Sequence, residues 1–395
     1  MFDDVSGFAR SIGHGLGSLK RDLDRRIGRT DRPQVVAYRG YGNEQNAWIS
    51  GRVLRDPGLT RAVRGDAWWR NLLNTYKRIE SDEIPGAHVR VHGFGRSTDM
   101  KSDQEGFFRL TVPVRTRNSE ELWHPIEFEL VAPLGADGRP SRSVGHVLMP
   151  GPKAEYGVIS DLDDTVVRTD VQSVPRMIRA IALGNAHTRL PFPGVAAFYR
   201  ALQLGRAGQA LNPVFYVSSS PWNLYDLLDE FLAVRGIPAG PLILRDWGIG
   251  VNAARNAPHK LEAIAHILDA YPKLPFILIG DSGQQDPEIY SEVMARYPAR
   301  IQAAYIRNVT PQPERSAAIK NLIRQVTESG STMVLTDDTL AAARHAVERG
   351  WIADSALGAI LADEAAENEQ GPRPESEGGP QETVVIDSDY RSGTS

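Results

Sequence analysis

The chain has 395 residues, 41% hydrophobic and 24% charged, the profile of a soluble globular protein with one large domain or two ordinary ones. Its formal net charge of −4 excludes the strongly basic balance of a dedicated nucleic-acid binder, so no nucleic-acid partner is expected. The absence of cysteine excludes disulfides, thiolate nucleophiles and cysteine metal ligands.

No apolar run reaches the roughly 18 residues of a membrane-spanning helix. The opening Met1-Phe2-Asp3-Asp4 lacks the basic and apolar stretches of a secretory signal, so a cytoplasmic protein is expected. Residues 1–30 read as an amphipathic helical segment. Phe2, Val5, Phe8, Ile12, Leu16, Leu19, Leu23 and Ile27 recur at helical spacing, with Arg10, Lys20, Arg21, Arg25, Arg26 and Arg29 beside them. Such a helix can lie on an anionic membrane surface, which would make the protein peripheral. It can equally pack on its own protein or on a second copy, and Gly13, Gly15 and Gly17 each weaken a free helix by roughly 1 kcal/mol relative to alanine.

Residues 33–150 read as a β-rich, sandwich-like domain. Strands are expected at Val35–Tyr38, Ala47–Val53, His88–His92, Phe107–Val112 and Ile126–Leu130, several alternating as in an antiparallel sheet with one wet face. Asp103-Gln104-Glu105-Gly106 reads as a hairpin turn, and Ala67–Ile79 as a helix with Leu72, Leu73, Tyr76 and Ile79 on one stripe. His88 and His92 share one strand face but lack a third ligand, so they read as surface histidines.

Residues 151–360 alternate strand and helix and carry the chemistry. Tyr156–Ser160 is an apolar strand running straight into Asp161-Leu162-Asp163-Asp164-Thr165. Carboxylates are costly to bury unpaired, so such a cluster at a strand end points to a cation or a catalytic site; a capping Asp cluster is the plainer alternative. Val214–Val217 is a second strand, ending in Ser218-Ser219-Ser220-Pro221-Trp222, where hydroxyl and backbone N–H groups can hold phosphate oxygens. Lys260 begins a helical stretch with Leu261, Ile264, Ala265 and Leu268, and can offset phosphoryl charge or simply face solvent. Phe276–Ile279 is a third strand, leading into Gly280-Asp281-Ser282-Gly283-Gln284-Gln285-Asp286, whose Asp281 and Asp286 can ligate a hard cation. Residues 365–395 are acidic and rich in Gly, Pro, Ser and Glu, and read as a disordered tail.

Taken in this order, the four segments resemble the haloacid dehalogenase superfamily of phosphatases. Asp161-x-Asp163-x-Thr165, Ser218, Lys260 and Gly280-Asp281-x-x-x-x-Asp286 match its four motifs. Tyr216–Trp222, His259-Lys260, Gly280–Tyr290 and Tyr305–Val309 narrow the likeness to the actin-patch-type phosphatidate phosphatases and their bacterial relatives, over about residues 150–355. Ser219 departs from that pattern, which has asparagine there. The resemblance implies an α/β fold with a doubly wound parallel sheet, HAD-like and Rossmannoid, with a small cap inserted between Arg168 and Pro213. It implies Mg²⁺ held by Asp161, the backbone carbonyl of Asp163, Asp281 and waters. In that scheme Asp161 is the nucleophile and Asp163 the acid and base. Ser218 and Lys260 hold the phosphoryl oxygens, and Asp286 orients the metal or Lys260. Thr165, Ser219 and Arg307 are further candidates for substrate binding.

The expected activity is hydrolysis of phosphatidate, a phospholipid, to diacylglycerol and phosphate at a membrane surface. The alternatives are a phosphatase for soluble phosphomonoesters or phosphoproteins, and a non-catalytic adaptor that only binds phospholipid.

Overall fold

The computed structural model describes residues 32–56, 83–118, 120–135, 137–162, 193–245, 256–309 and 312–369. The expected N-terminal helix, the helix at Ala67–Ile79, residues 168–192 of the expected cap insert and residues 370–395 of the expected acidic tail lie outside the described residues, while residues 365–369, expected in the tail, are helical.

The first half is an eight-stranded, largely antiparallel sheet. Its strands are β1 (Arg32–Ala37), β2 (Gly40–Gly42), β3 (Asn46–Asp56), β4 (His88–Gly93), β5 (Arg96–Lys101), β6 (Phe107–Pro113), β7 (Trp123–Ala132) and β8 (Ser141–Leu148). Strand β3 pairs with β1, β2 and β6, while β2 runs parallel to β8 and links this group to β8, β7, β4 and β5. Alternate residues face a shared core that includes Val35, Val53, Val91, Phe108, Phe128 and Val147. Strand β7 shows the alternation most clearly, burying His124, Ile126, Phe128 and Leu130 between exposed neighbours. The turn at Asp103–Gly106 forms, with the Asp103 carboxylate accepting the Glu105 and Phe107 N–H groups. The strands it joins find different ladder partners, β4 for β5 and β3 for β6, so it is not the simple hairpin its residues suggest.

The second half is a six-stranded parallel sheet in the order β11-β10-β9-β12-β13-β14. These strands are β9 (Gly157–Asp161), β10 (Val214–Pro221), β11 (Leu242–Arg245), β12 (Phe276–Asp281), β13 (Ile301–Arg307) and β14 (Met333–Thr336). Helices α1 (Val195–Leu204), α2 (Tyr225–Val234), α3 (Asn256–Ala270), α4 (Asp286–Arg296), α5 (Pro313–Glu328), α6 (Thr339–Glu348) and α7 (Ala356–Glu369) cover it. Side chains of α1, α2, α6 and α7 share one core with Val158, Tyr216, Ile277 and Tyr305. Side chains of α3, α4 and α5 share the other with Ile159, Phe215, Leu278 and Ile306. Strands covered on both faces read as unbroken apolar runs, which is why β9, β10 and β12 stand out in the sequence. Gly157 is required where β9 meets β12, because a Cβ there would lie 2.3 Å from the Phe276 ring. No helix among the described residues is long and apolar enough to cross a membrane.

The β-rich half grips the β11 edge of the parallel sheet from both faces. On one face Tyr38 stacks on Tyr225 at 4.0 Å and on Trp222 at 5.3 Å between ring centroids. The Arg39 N–H donates to the Tyr225 hydroxyl at 2.6 Å, and Arg39 pairs with Asp229. Burial pushes the pKa of that hydroxyl up to about 12, so it stays protonated. On the other face Tyr41 meets the Phe215 ring edge-on and hydrogen-bonds His266 Nδ1 at 2.6 Å, while the Tyr271 hydroxyl donates to the Gly42 carbonyl at 2.9 Å. Tyr38 is only 4% exposed, so truncating it opens a hole between the halves. Tyr38→Ala is expected to lower stability by ~3–5 kcal/mol in urea denaturation. A loss under about 1 kcal/mol would show that the halves do not depend on this stack.

Candidate active site

The parallel sheet grows outward from β9 to β10 and β11, then returns to the other side of β9 for β12, β13 and β14. The direction therefore reverses at β9, and in open α/β sheets the crevice at the carboxyl ends of such strands is where ligands bind. Asp161 ends β9, Asp281 ends β12, and Ser218 lies near the end of β10. Strand register alone thus gathers residues from distant parts of the chain. All three are buried, at 1%, 0% and 0% exposure.

Lys260, in the first half of α3, drives its ammonium group into the middle of this cluster. Its Nζ lies 2.8 Å from Asp161 Oδ1, 2.9 Å from Asp286 Oδ1 and 3.2 Å from Gln284 Oε1. Asp286, the first residue of α4, turns its other oxygen back to accept the Asp281 N–H at 3.2 Å. The Asp281 Oδ1 accepts the N–H groups of Gly283 and Gln284 at 2.6 and 3.1 Å, which closes the loop between β12 and α4. Gly280 makes this approach possible, since a Cβ at that position would lie 2.5 Å from Asp286 Oδ2. At the end of β10 the Ser218 hydroxyl accepts the Ser220 N–H at 2.9 Å, and Ser219 is half-buried beside it.

Asp161, Asp281 and Asp286 each present a carboxylate oxygen, and the three oxygens lie within 4.8 Å of one another. Among the described residues of this cluster, three carboxylates less one ammonium leave an excess of two negative charges in a buried space. Burial, followed by the charges of Asp286 and Asp161, pushes the hydroxyl of nearby Tyr290 well above its ordinary pKa, another sign of a negative field. An all-oxygen donor set with surplus negative charge fits a hard divalent cation. Asp286 has both of its oxygens engaged, by Lys260 and by the Asp281 N–H, so Asp161 and Asp281 are the candidates to hold the cation.

Support comes from further out. Tyr199 and Ser160 hydroxyls meet at 2.6 Å, and Ser160 Oγ donates to the Asp161 carbonyl at 2.7 Å, fixing the backbone behind the carboxylate. Arg315, from α5, donates to the carbonyls of Gln284 at 2.6 Å and Ser282 at 3.3 Å and pairs with Glu288. It clamps the loop that carries Asp281 and Asp286. Nothing in the local sequence marks Arg315, because its partners lie about thirty positions away. Gln284 sits within the motif and was legible as a position but not as a ligand of Lys260.

Among the other sequence candidates, Asp163 and Thr165 lie outside the described residues. Arg307 lies on the face covered by α1 and α6, where its Nη1 donates to Thr339 Oγ1 at 3.1 Å. Burial lowers its pKa to about 9, which leaves it charged near neutrality. The histidines of β4 have partners of their own. His92 Nδ1 is 2.7 Å from Ser97 Oγ, and His88 lies 3.4 Å from Asp99.

Removing one partner of a buried ion cluster leaves uncompensated charge, at a cost of ~3–5 kcal/mol. Lys260→Met is therefore expected to lower stability by about that amount in chelator-containing buffer, measured by chemical denaturation. An unchanged midpoint would mean that the buried carboxylates are balanced without this lysine.

Residues 156–308 match the family described as phosphatidate phosphatase APP1, catalytic domain. A phosphatidate phosphatase APP1 of Saccharomyces cerevisiae is 31% identical over 180 residues, covering 44% of this chain and 30% of the yeast protein. An uncharacterized protein of Schizosaccharomyces pombe is 34% identical over 159 residues, covering 38% of this chain and 25% of its own length. The aligned parts thus span about a third or less of these curated relatives. Among solved structures, a carbohydrate acetylesterase from Xanthomonas citri aligns over 67% of this chain and 66% of its own at 13% identity. Its TM-score is 0.26. The likeness to the phosphatidate phosphatases read from the motifs is borne out over residues 156–308, the stretch that carries Asp161, Lys260, Asp281 and Asp286, which is similar to the catalytic domain of the phosphatidate phosphatase APP1 family.

Proposed function

We propose that the chain is a Mg²⁺-dependent phosphatase that works through an aspartyl-phosphate on Asp161 and hydrolyses phosphatidate to diacylglycerol at a membrane surface. The observation that carries this reading is the buried Lys260 ammonium held between Asp161 and Asp286, with Asp281 beside them, at the point where the sheet reverses. The strand order, and helices on both faces, support the doubly wound, HAD-like fold that such phosphatases use. The match of residues 156–308 supports phosphatidate as the substrate class.

In this mechanism an Asp161 oxygen attacks phosphorus, forming one P–O bond as the bond to the lipid oxygen breaks. Asp163 gives a proton to the departing lipid oxygen, then takes one from the water that hydrolyses the acyl phosphate and releases inorganic phosphate. Lys260 and the Ser218 hydroxyl hold the non-bridging oxygens, with Ser219 and Thr165 alongside. Asp286 fixes the Lys260 ammonium, and Arg315 fixes the loop beneath both. Arg307 is a further candidate for phosphate contact: it ends β13 beside Asp281, with its Nη1 donating to Thr339 Oγ1. Asp161, Asp281 and the Asp163 carbonyl would hold a Mg²⁺ ion, which would supply positive charge against the repulsion between carboxylate and phosphate.

A carboxamide keeps the shape of Asp161 and removes its nucleophilic charge. Asp161→Asn is expected to abolish phosphate release from phosphatidate while the circular dichroism spectrum is unchanged. Retention of more than about a tenth of wild-type kcat would exclude the covalent route, since losing a nucleophile costs orders of magnitude.

The membrane part of the proposal is motivated by the apolar stripe and basic residues of the first thirty positions. Deleting residues 1–30 is expected to weaken sedimentation with anionic liposomes and to lower activity on bilayer phosphatidate. Hydrolysis of a small soluble ester should hardly change. Sedimentation of the intact protein should also fall at 1 M salt, where screening shortens to about 3 Å. Unaltered liposome binding by the folded deletion variant would remove the segment from the proposal.

A further inference from the structure

Helix α5 begins just beyond residues 156–308, the stretch that matches the catalytic domain of the APP1 family. Its Arg315 reaches back to the loop between β12 and α4 with all three guanidinium nitrogens. Nε donates to the Ser282 carbonyl at 3.3 Å, and Nη2 to the Gln284 carbonyl at 2.6 Å. Nη1 and Nη2 pair with the Glu288 carboxylate, with Nη2 at 2.9 Å from Oε2. A planar guanidinium makes these bonds together because its donors sit in a fixed fork.

These contacts bear directly on the carboxylate cluster. The peptide group between Ser282 and Gly283 accepts from Arg315 on its carbonyl and donates from its N–H to Asp281 Oδ1 at 2.6 Å. Gln284 is held on three sides. Its N–H donates to Asp281 Oδ1 at 3.1 Å, its side-chain oxygen accepts from Lys260 Nζ at 3.2 Å, and its carbonyl accepts from Arg315. A single peptide group thus separates Arg315 from the Asp281 carboxylate, and Gln284 alone separates it from the Lys260 ammonium. Groups placed in this way behind a metal ligand fix its orientation, and losing one costs about 10–100-fold in metal affinity.

We propose that Arg315 is a positioning residue that sets the affinity of the carboxylate cluster for a divalent cation, by holding the loop from Ser282 to Gln284 against Asp281. The proposal rests on the reading of Asp161 and Asp281 as ligands of that cation. Geometry and charge act in opposite directions here. The bond to Glu288 foremost, then the charges of Glu288 and Asp281, raise the pKa of Arg315 above its ordinary value, so the guanidinium is charged. A positive charge near Asp281 repels a second one, so on charge alone its removal would tighten metal binding. Loss of the held geometry weakens binding, and the sign of the change separates the two effects.

The test is Mn²⁺ binding to the full chain, followed by loss of the free ion's electron paramagnetic resonance signal. Mn²⁺ stands in for Mg²⁺ because both take carboxylate, carbonyl and water oxygens. The wild type should bind the ion, and Asp281→Asn should bind it far more weakly. Arg315→Gln should raise the dissociation constant about tenfold or more. Arg315→Lys keeps a cation beside Glu288 but loses the fork, and should weaken binding in the same direction. Arg324→Gln, at an exposed position of the same helix, should bind as the wild type does. Circular dichroism checks that each variant is folded. A folded Arg315→Gln protein that binds Mn²⁺ as tightly as the wild type, or more tightly, would overturn the proposal. So would wild-type affinity in Arg315→Lys, or failure of both variants to fold, which would make Arg315 a residue of the fold alone. No Mn²⁺ binding by the wild type, or undiminished binding by Asp281→Asn, would instead remove the cation reading beneath it.

Discussion

Lys260 carries its ammonium into a place where only 3% of the residue is exposed, and it meets two carboxylates there at 2.8 and 2.9 Å. A buried charge is tolerated only with partners held in good geometry, so the surrounding chain is constrained to supply them. Strand β9 must end at Asp161, α4 must begin at Asp286, and the residue before Asp281 must lack a side chain so that Asp286 can approach. Arg315 and the Ser160–Tyr199 hydroxyl pair lie one step further out and fix the loop and the strand end. Each of these features answers a requirement set by that one ammonium and the carboxylates around it.

The same constraint prepares the site for anionic chemistry. The three carboxylates gathered around Lys260 offer oxygen donors that suit a hard cation. Carboxylate, lysine and serine arrive on three separate elements, β9, α3 and β10, each anchored in one of the two apolar cores. Rigid elements hold these groups, and the loop between β12 and α4 is tied down by the Asp281 turn and the Arg315 clamp.

The β-rich half contributes in another way. Its Tyr38 packs on Trp222 and Tyr225 and its Tyr41 on Phe215, on the two opposite faces of the parallel sheet. Tyr38 stacks on Trp222, the first residue after the strand that bears Ser218, so packing between the halves bears directly on the segment leaving the candidate site. A cavity remains between the two sheets, lined by Leu242 and Ile243 of β11 and by Trp48, Ile49 and Ser50 of β3.

Local sequence was sufficient for β9, β10 and β12, since a strand covered on both faces must be apolar along its length. It was also sufficient for the presence of Asp161, Ser218, Lys260, Asp281 and Asp286 at element ends, because carboxylates and hydroxyls there stand out against apolar runs. It did not separate the turn at Asp103–Gly106 from a hairpin, because turn chemistry says how the chain bends and not which ladder each strand joins. It gave no sign of Arg315, of Gln284 as a partner of Lys260, or of the stack on Tyr38. Residue type and spacing along the chain determined which chemistry was available to this protein. Tertiary structure decided which groups meet. The bond from Lys260 to Asp286 spans 26 positions and the one from Arg39 to Tyr225 spans 186, distances over which no local periodicity carries information.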